Sequence, residues 1–327
     1  MKKLIAVFAV LASLMFSASA GALVTVGQLA PPGVTLETCD YGQYDEAQLN
    51  LADGNSYVVP AAGVLTSWSS NVGPSPNQTL GFKVFRRVAG NVFTVVGADG
   101  PRPLTSGALN TFPISIPVLP GDVLGISLPA PDLTTQCSFV TDQPTDQVGY
   151  KSGNAGPGGT VDFDNLDPGL RLNVSATLLP PPVITSFTPG TGPIAGQAVT
   201  IAGANFAQVS SVTFGGVPAP FSVVSETQIT AVAPASASLN SVPVAVTTIA
   251  GAASSATPFT YEGCAVPRLR GKRLKASKKI SNRADCKIGK VTKRNGATAK
   301  TGEVTKQNPK PGAILPPDTT IKVTLAP

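Results

Sequence analysis

The chain has 327 residues and no histidine, which excludes a Ser-His-Asp or Cys-His nucleophile, a histidine general base and a histidine-ligated metal built from this polypeptide alone. Gly and Pro number 33 and 31, with aromatics at 6% and charged residues at 13%, so hydrophobic runs are broken every few residues, which favours short strands over long helices or parallel α/β sheets. The net charge of +6 hides a partition: +2 before Gly21, −7 from Gly21 to Leu179, −2 from Pro180 to Glu262 and +13 from Gly263 to Pro327.

The length predicts two or three domains. Lys2 and Lys3, the apolar run Leu4 to Phe16 and the small-residue site Ala18-Ser19-Ala20 read as a signal peptide over residues 1–20, removed on export. The run is shorter than the roughly 20 residues that span a bilayer, so no transmembrane segment is expected in the mature chain. Export places the four cysteines in an oxidising compartment, where structural pairing is expected. Of the three connectivities, the domain boundaries favour Cys39 with Cys137 and Cys264 with Cys286. On a loop-entropy basis these contribute about 4 to 5 and about 3 kcal/mol.

Residues 21–179 read as an all-β sandwich of jelly-roll-like topology. Phe82-Lys83-Val84 and the alternating Phe112, Ile114, Ile116 and Val118 have period two, and Pro120-Gly121-Asp122 is a turn feeding Val123 to Leu128. The segment resembles the β-sandwich that opens exported bacterial multidomain proteins, with no motif that specifies its protein or glycan partner. Asp162-Phe163-Asp164-Asn165-Leu166-Asp167 departs from the EF-hand pattern at Leu166 and Asp167, leaving a calcium-holding loop or a solvated turn. Asp40, Asp45 and Glu46 read as surface acids near a disulfide rather than a glycosidase pair. Trp68 and Tyr57 read as core residues rather than a sugar platform.

Pro180-Pro181-Pro182 is a stiff spacer. Beyond it come Pro182 to Pro189, Gly192-Pro193-Ile194-Ala195-Gly196, Val199 to Phe206, Val212 to Gly216, Gln228 to Pro234 and Phe259-Thr260-Tyr261. In this order they resemble an IPT/TIG domain over residues 182–261. The resemblance implies an immunoglobulin-like sandwich acting as a spacer or interaction module. Having no Lys or Arg, it cannot neutralise phosphates, so no nucleic acid partner is expected.

Residues 263–327 carry Val266 to Lys272, a helical stretch through Leu274, Ser277, Ile280 and Ala284, then Gly302 to Gly312 and Ile321 to Leu325. They resemble a single PASTA domain, the Gln307-Asn308-Pro309-Lys310-Pro311-Gly312 segment above all. The resemblance implies one helix on a three-stranded sheet and, as partner, peptidoglycan or another anionic wall polymer. Cys264 and Cys286 are placed to staple so small a core. Alternation puts Ile321, Val323 and Leu325 inward and Lys322 outward, and Val304 inward with Glu303 and Gln307 outward. Lys287, Lys293 and Arg294 on the preceding strand complete a candidate ligand face with Gln307 and Lys322. No kinase loop, H-R-D or S-x-x-K motif is present, and no catalytic residue, cofactor or metal is expected. The reading is mainly β, with a small α+β module at the end. It describes a non-enzymatic, secreted or cell-wall-associated binding protein; the alternative is a carbohydrate-binding or adhesive protein acting through the N-terminal sandwich.

Overall fold

Alternation and turn chemistry set the architecture of the computed structural model, which describes residues 23–39, 42–128 and 135–327. The predicted signal peptide over 1–20, and Asp40, lie outside the described residues. The chain is mainly β, with one short helix at Leu274–Asn282. Among the described residues no helix is long and apolar enough to cross a membrane.

From Val24 to Leu179 the strands form sheets of four, seven and three. In the seven-stranded sheet, Val123–Leu128 pairs on one side with Thr79–Ala89 and on the other with Tyr44–Asn50, and all six of its residues are buried. Glycine is required at 125 because a Cβ there would sit 2.1 Å from the Glu46 carbonyl and 2.5 Å from the Phe85 ring. Facing it, the four-stranded sheet contributes Trp68, fully buried, stacked on Phe82 at 5.6 Å and beside Phe112 at 4.7 Å, its Nε1 donating to Asp99 at 2.8 Å. Tyr57 is equally buried and donates its hydroxyl to the Leu172 carbonyl. Both are core residues.

Lys83, in the middle of a strand, is buried against Asp45. Its ammonium also donates to Asn154 Oδ1 at 2.7 Å and the Ala155 carbonyl at 2.6 Å, while Asp45 accepts from the Ala155 N–H at 2.8 Å. The expectation of a surface acid at Asp45 is thereby corrected. It lies in a hydrogen-bonded interior pair, the arrangement that lets charge survive desolvation. Arg86 reaches Asp122 through two bonds of 2.7 and 2.8 Å, and Asp122 also accepts from the Leu119 N–H at 2.8 Å, closing the turn before the central strand.

The second unit, Val183 to Glu262, stacks sheets of four, four and three strands around Phe206, Phe214 and Phe259. The last two meet edge to face at 5.3 Å. Gly215 and Gly216, at φ +60° and +82°, close the two-residue hairpin that sets Phe214 opposite Val217, the positive-φ pair that a tight turn of this type demands.

In the last unit the parallel pair Cys286–Lys293 and Thr319–Ala326 is extended by antiparallel Glu303–Asn308. The helix buries Leu274, Ser277 and Ser281. It ends at Asn282, so Ala284 packs on the core from beyond the helix. Cys39 pairs with Cys137 and Cys264 with Cys286, at Cα separations of 5.8 and 4.8 Å. The junction with the second unit is packed: Ile314 rests on the second core, and a Cβ at Gly263 would stand 2.9 Å from the Leu239 side chain and 3.2 Å from that of Ile194.

Two stability predictions arise. Lys83→Met strands the Asp45 carboxylate in the interior and is expected to cost about 3 to 5 kcal/mol in denaturant unfolding. Burial disfavours the Asp146 charge, but hydrogen bonds from Arg171, the Ala52 N–H and Thr141 outweigh it and hold this carboxyl below the ordinary range. A pKa lowered on folding contributes stability that is complete above the unfolded value of about 4 and disappears as pH falls through the folded one. Unfolding midpoints are therefore expected to drop on acidification below about pH 4, and Asp146→Asn to flatten that limb.

Candidate functional site

Every one of the sixteen Lys and Arg residues between Gly263 and Pro327 is exposed. Among the described residues only Lys287 of this set is in an ion pair, with Asp318 at 3.0 Å. The outer row of the sheet follows from register, since directly opposed residues share a face. Lys287 opposes Thr320, Asn308 opposes Lys322 and Lys306 opposes Thr324. Lys287, Lys306 and Lys322 thus share one face.

Two expectations for this face are corrected, both by bulges. The register slips between Ile288 and Val291, so that Lys293 comes opposite Leu325. It falls in the row of the buried leucine and not in that of Lys322. Arg294, whose N–H bonds to the Leu325 carbonyl at 2.9 Å, follows it past the strand end. A second slip between Val304 and Lys306 sets Gln307 opposite buried Val323. A one-residue insertion sends every later side chain to the other face. Gln307 therefore turns inward. Its Oε1 accepts the Leu269 N–H at 2.8 Å and its Nε2 donates to the Pro267 carbonyl at 2.9 Å. Its amide is a clamp on the segment before the helix, not a ligand group, and the same slip brings Lys306, absent from the sequence reading, onto the outer face.

The N-terminal sandwich holds a cleft of about 310 Å³ between the three-stranded sheet and one end of the seven-stranded sheet, beside the Cys39–Cys137 bond. Tyr150 lies directly across from Glu46, and Val148 across from Asp167. Tyr44 and Tyr150 meet edge to face at 5.9 Å, and Glu37 faces them from the smaller sheet. Glu46 is only 9% exposed, so the surface-acid expectation fails here as well: alternation turns it toward the cleft. Glu46 comes within 4.8 Å of both sulfurs, but these are bonded to each other and offer no metal ligands. The acids of 162–167 do not converge. Asp164 binds Lys151 at 2.7 Å, Phe163 enters the core, and Asp167 lines the cleft.

Residues 182–261 match the IPT/TIG domain. Residues 265–327 match the PASTA domain. Both modules are of non-catalytic kinds. Among solved structures, the chain is similar to a candidate phosphatase from Bacteroides thetaiotaomicron (29% identity over 28% of this chain and 21% of that one, TM-score 0.22). It is also similar to the extracellular region of plexin A4 (17% identity, 62% and 17%, 0.25) and to SGBP-B from a complex xyloglucan utilization locus in Bacteroides uniformis (17% identity, 63% and 49%, 0.24). The chain spans less than half the length of each, and overlaps this low carry no argument about function. No curated protein matches the chain.

The clamp yields a prediction for the PASTA module. Gln307→Ala leaves the Leu269 N–H without its partner and is expected to cost about 1 to 3 kcal/mol, read as faster hydrogen exchange at the Leu269 amide.

Proposed function

We propose that this protein is a non-enzymatic, envelope-associated binding protein. Its PASTA module attaches it to peptidoglycan or another anionic wall polymer, its IPT/TIG module serves as spacer or interaction module, and its N-terminal sandwich meets a separate partner. The observation that carries the reading is the contrast in how charge is used. In residues 21–179, five of six cations are ion-paired to aspartates (Lys83, Arg86, Arg102, Lys151 and Arg171), and the sixth, Arg87, lies over the Phe93 ring at 4.5 Å. In the PASTA module all sixteen cations are exposed, and among the described residues only Lys287 is ion-paired. Unneutralised charge on a small rigid body raises both affinity and association rate for an anionic polymer, and salt screens both. Disulfides in both end modules, together with the signal-like start of the sequence, support a place outside the cytoplasm.

The test is retention of the full chain on purified cell wall at about 50 and about 500 mM salt, conditions that change the screening length severalfold. Retention is expected at the low concentration and release at the high one; a chain that stays in solution at the low concentration removes the reading.

A second reading is favoured by the cleft at Tyr44 and Tyr150. Two tyrosine rings beside Glu37, Glu46 and Asp167 combine an apolar surface with hydrogen-bonding carboxylates, the mixture that orients a sugar ring. On this reading the N-terminal sandwich binds glycan. Binding of the full chain to a glycan array, lost on Tyr150→Ala with the unfolding midpoint unchanged, is the expected result. Glycan binding that survives Tyr150→Ala rules the cleft out.

A further inference from the structure

The cations of the PASTA module are not spread evenly. Arg268, Arg270, Lys272, Arg273, Lys275, Lys278, Lys279 and Arg283 fall within sixteen consecutive residues, all exposed, with no acid anywhere from Gly263 to Ala284. The sheet face carries Lys287, Lys306 and Lys322, with Asp318 bound to Lys287, while Glu303 on the edge strand lies opposite Arg273 at the margin of the band. The two faces also differ in chemistry. Four of the module's five arginines lie in the band, whereas the sheet row is lysine alone.

The band is held in place before any ligand arrives. Gln307 clamps both sides of Arg268. The Gly271 N–H bonds to the Val304 carbonyl at 2.9 Å and the Val304 N–H to the Lys272 carbonyl at 3.0 Å. The helix that follows is tied down by buried Leu274, Ser277 and Ser281, and the Cys264–Cys286 bond spans the whole segment. Side chains three and four apart on a helix are neighbours, so Lys275, Lys278 and Lys279 form one cluster next to the arginines of the loop.

The module has no Phe, Tyr or Trp, and none of the exposed large hydrophobic residues lies in it. Nothing stacks on a sugar ring or a base, and nothing inserts among lipid chains. Recognition here is by charge and by the guanidinium fork, which matches the geometry of phosphate oxygens. The cations come in succession from a loop and a short helix, which suits a flexible chain that can follow the turn.

We propose that the Arg268–Arg283 band docks a flexible phosphodiester polymer of the polyol-phosphate type, and that the sheet face does not. This rests on the attachment of the PASTA module to an anionic wall polymer and names the ligand class and the face.

The experiment compares two triple variants of the full chain, Arg270→Gln/Lys275→Gln/Lys279→Gln and Lys287→Gln/Lys306→Gln/Lys322→Gln. Each removes three charges, so their net charges are equal, and thermal melts check that both fold as the parent does. Affinity for purified poly(glycerol phosphate) is measured across a salt series. With the band triple, the slope of log affinity against log salt is expected to fall by about two, while the sheet triple stays near the parent. Equal losses in the two triples, or a loss confined to the sheet triple, overturn the proposal. Tighter binding to duplex DNA or to anionic phospholipid vesicles than to poly(glycerol phosphate) overturns it too. Retention on wall stripped of phosphate polymers, without binding to the polymer itself, overturns the proposal while leaving wall attachment standing. Absence of binding to wall of either kind is instead the failure of wall attachment.

Discussion

Mutual repulsion of like charge is the constraint on which the C-terminal module of this molecule depends. A body of some sixty residues carries sixteen cations against three acids, and such an excess works against compaction. What opposes it is small: ten buried residues around Leu269, Ile321 and Leu325, a disulfide across the helix, and a glutamine amide that ties the loop before the helix to the sheet. Each cation is pushed outward by its neighbours and held by its backbone. The result is a charged surface whose geometry is set by the fold rather than by a partner.

The N-terminal sandwich solves the opposite problem. Its cations are few and nearly all absorbed by aspartates, three of them, Asp45, Asp122 and Asp146, almost wholly enclosed. These pairs serve the fold. Asp122 shapes the turn before the central strand, and Asp45 links two strands to the 154–155 segment. Three further acids, Glu37, Glu46 and Asp167, line one cleft. Between the two ends, the IPT/TIG module holds only Glu226 and Glu262 as charged residues, so the acidic and basic parts are separated by a nearly neutral one.

Much of this was legible in the sequence because it depends on local rules. Period-two alternation located Ile321, Val323 and Leu325, paired glycines marked the 215–216 hairpin, and the shifts in charge coincide with the changes from one core to the next. The errors on the candidate face have one cause. Alternation counts residues, whereas a bulge adds one without changing the strand; Gly289 is a signal for the first slip, but no residue between Val304 and Lys306 announces the second. Lys293 and Gln307 were misplaced, and Lys306 was missed, for that reason alone. The burial of Asp45 and Glu46 was illegible for another: it depends on Lys83 and Tyr150, partners 38 and 104 positions away in the chain, which only tertiary structure brings near.

The missing aromatics of the PASTA module have an optical consequence. The single tryptophan of the protein, Trp68, is fully enclosed in the N-terminal core. Tryptophan fluorescence therefore watches the first sandwich alone. The basic module can melt, bind or lose its disulfide in silence, and a single smooth emission curve describes one module of three.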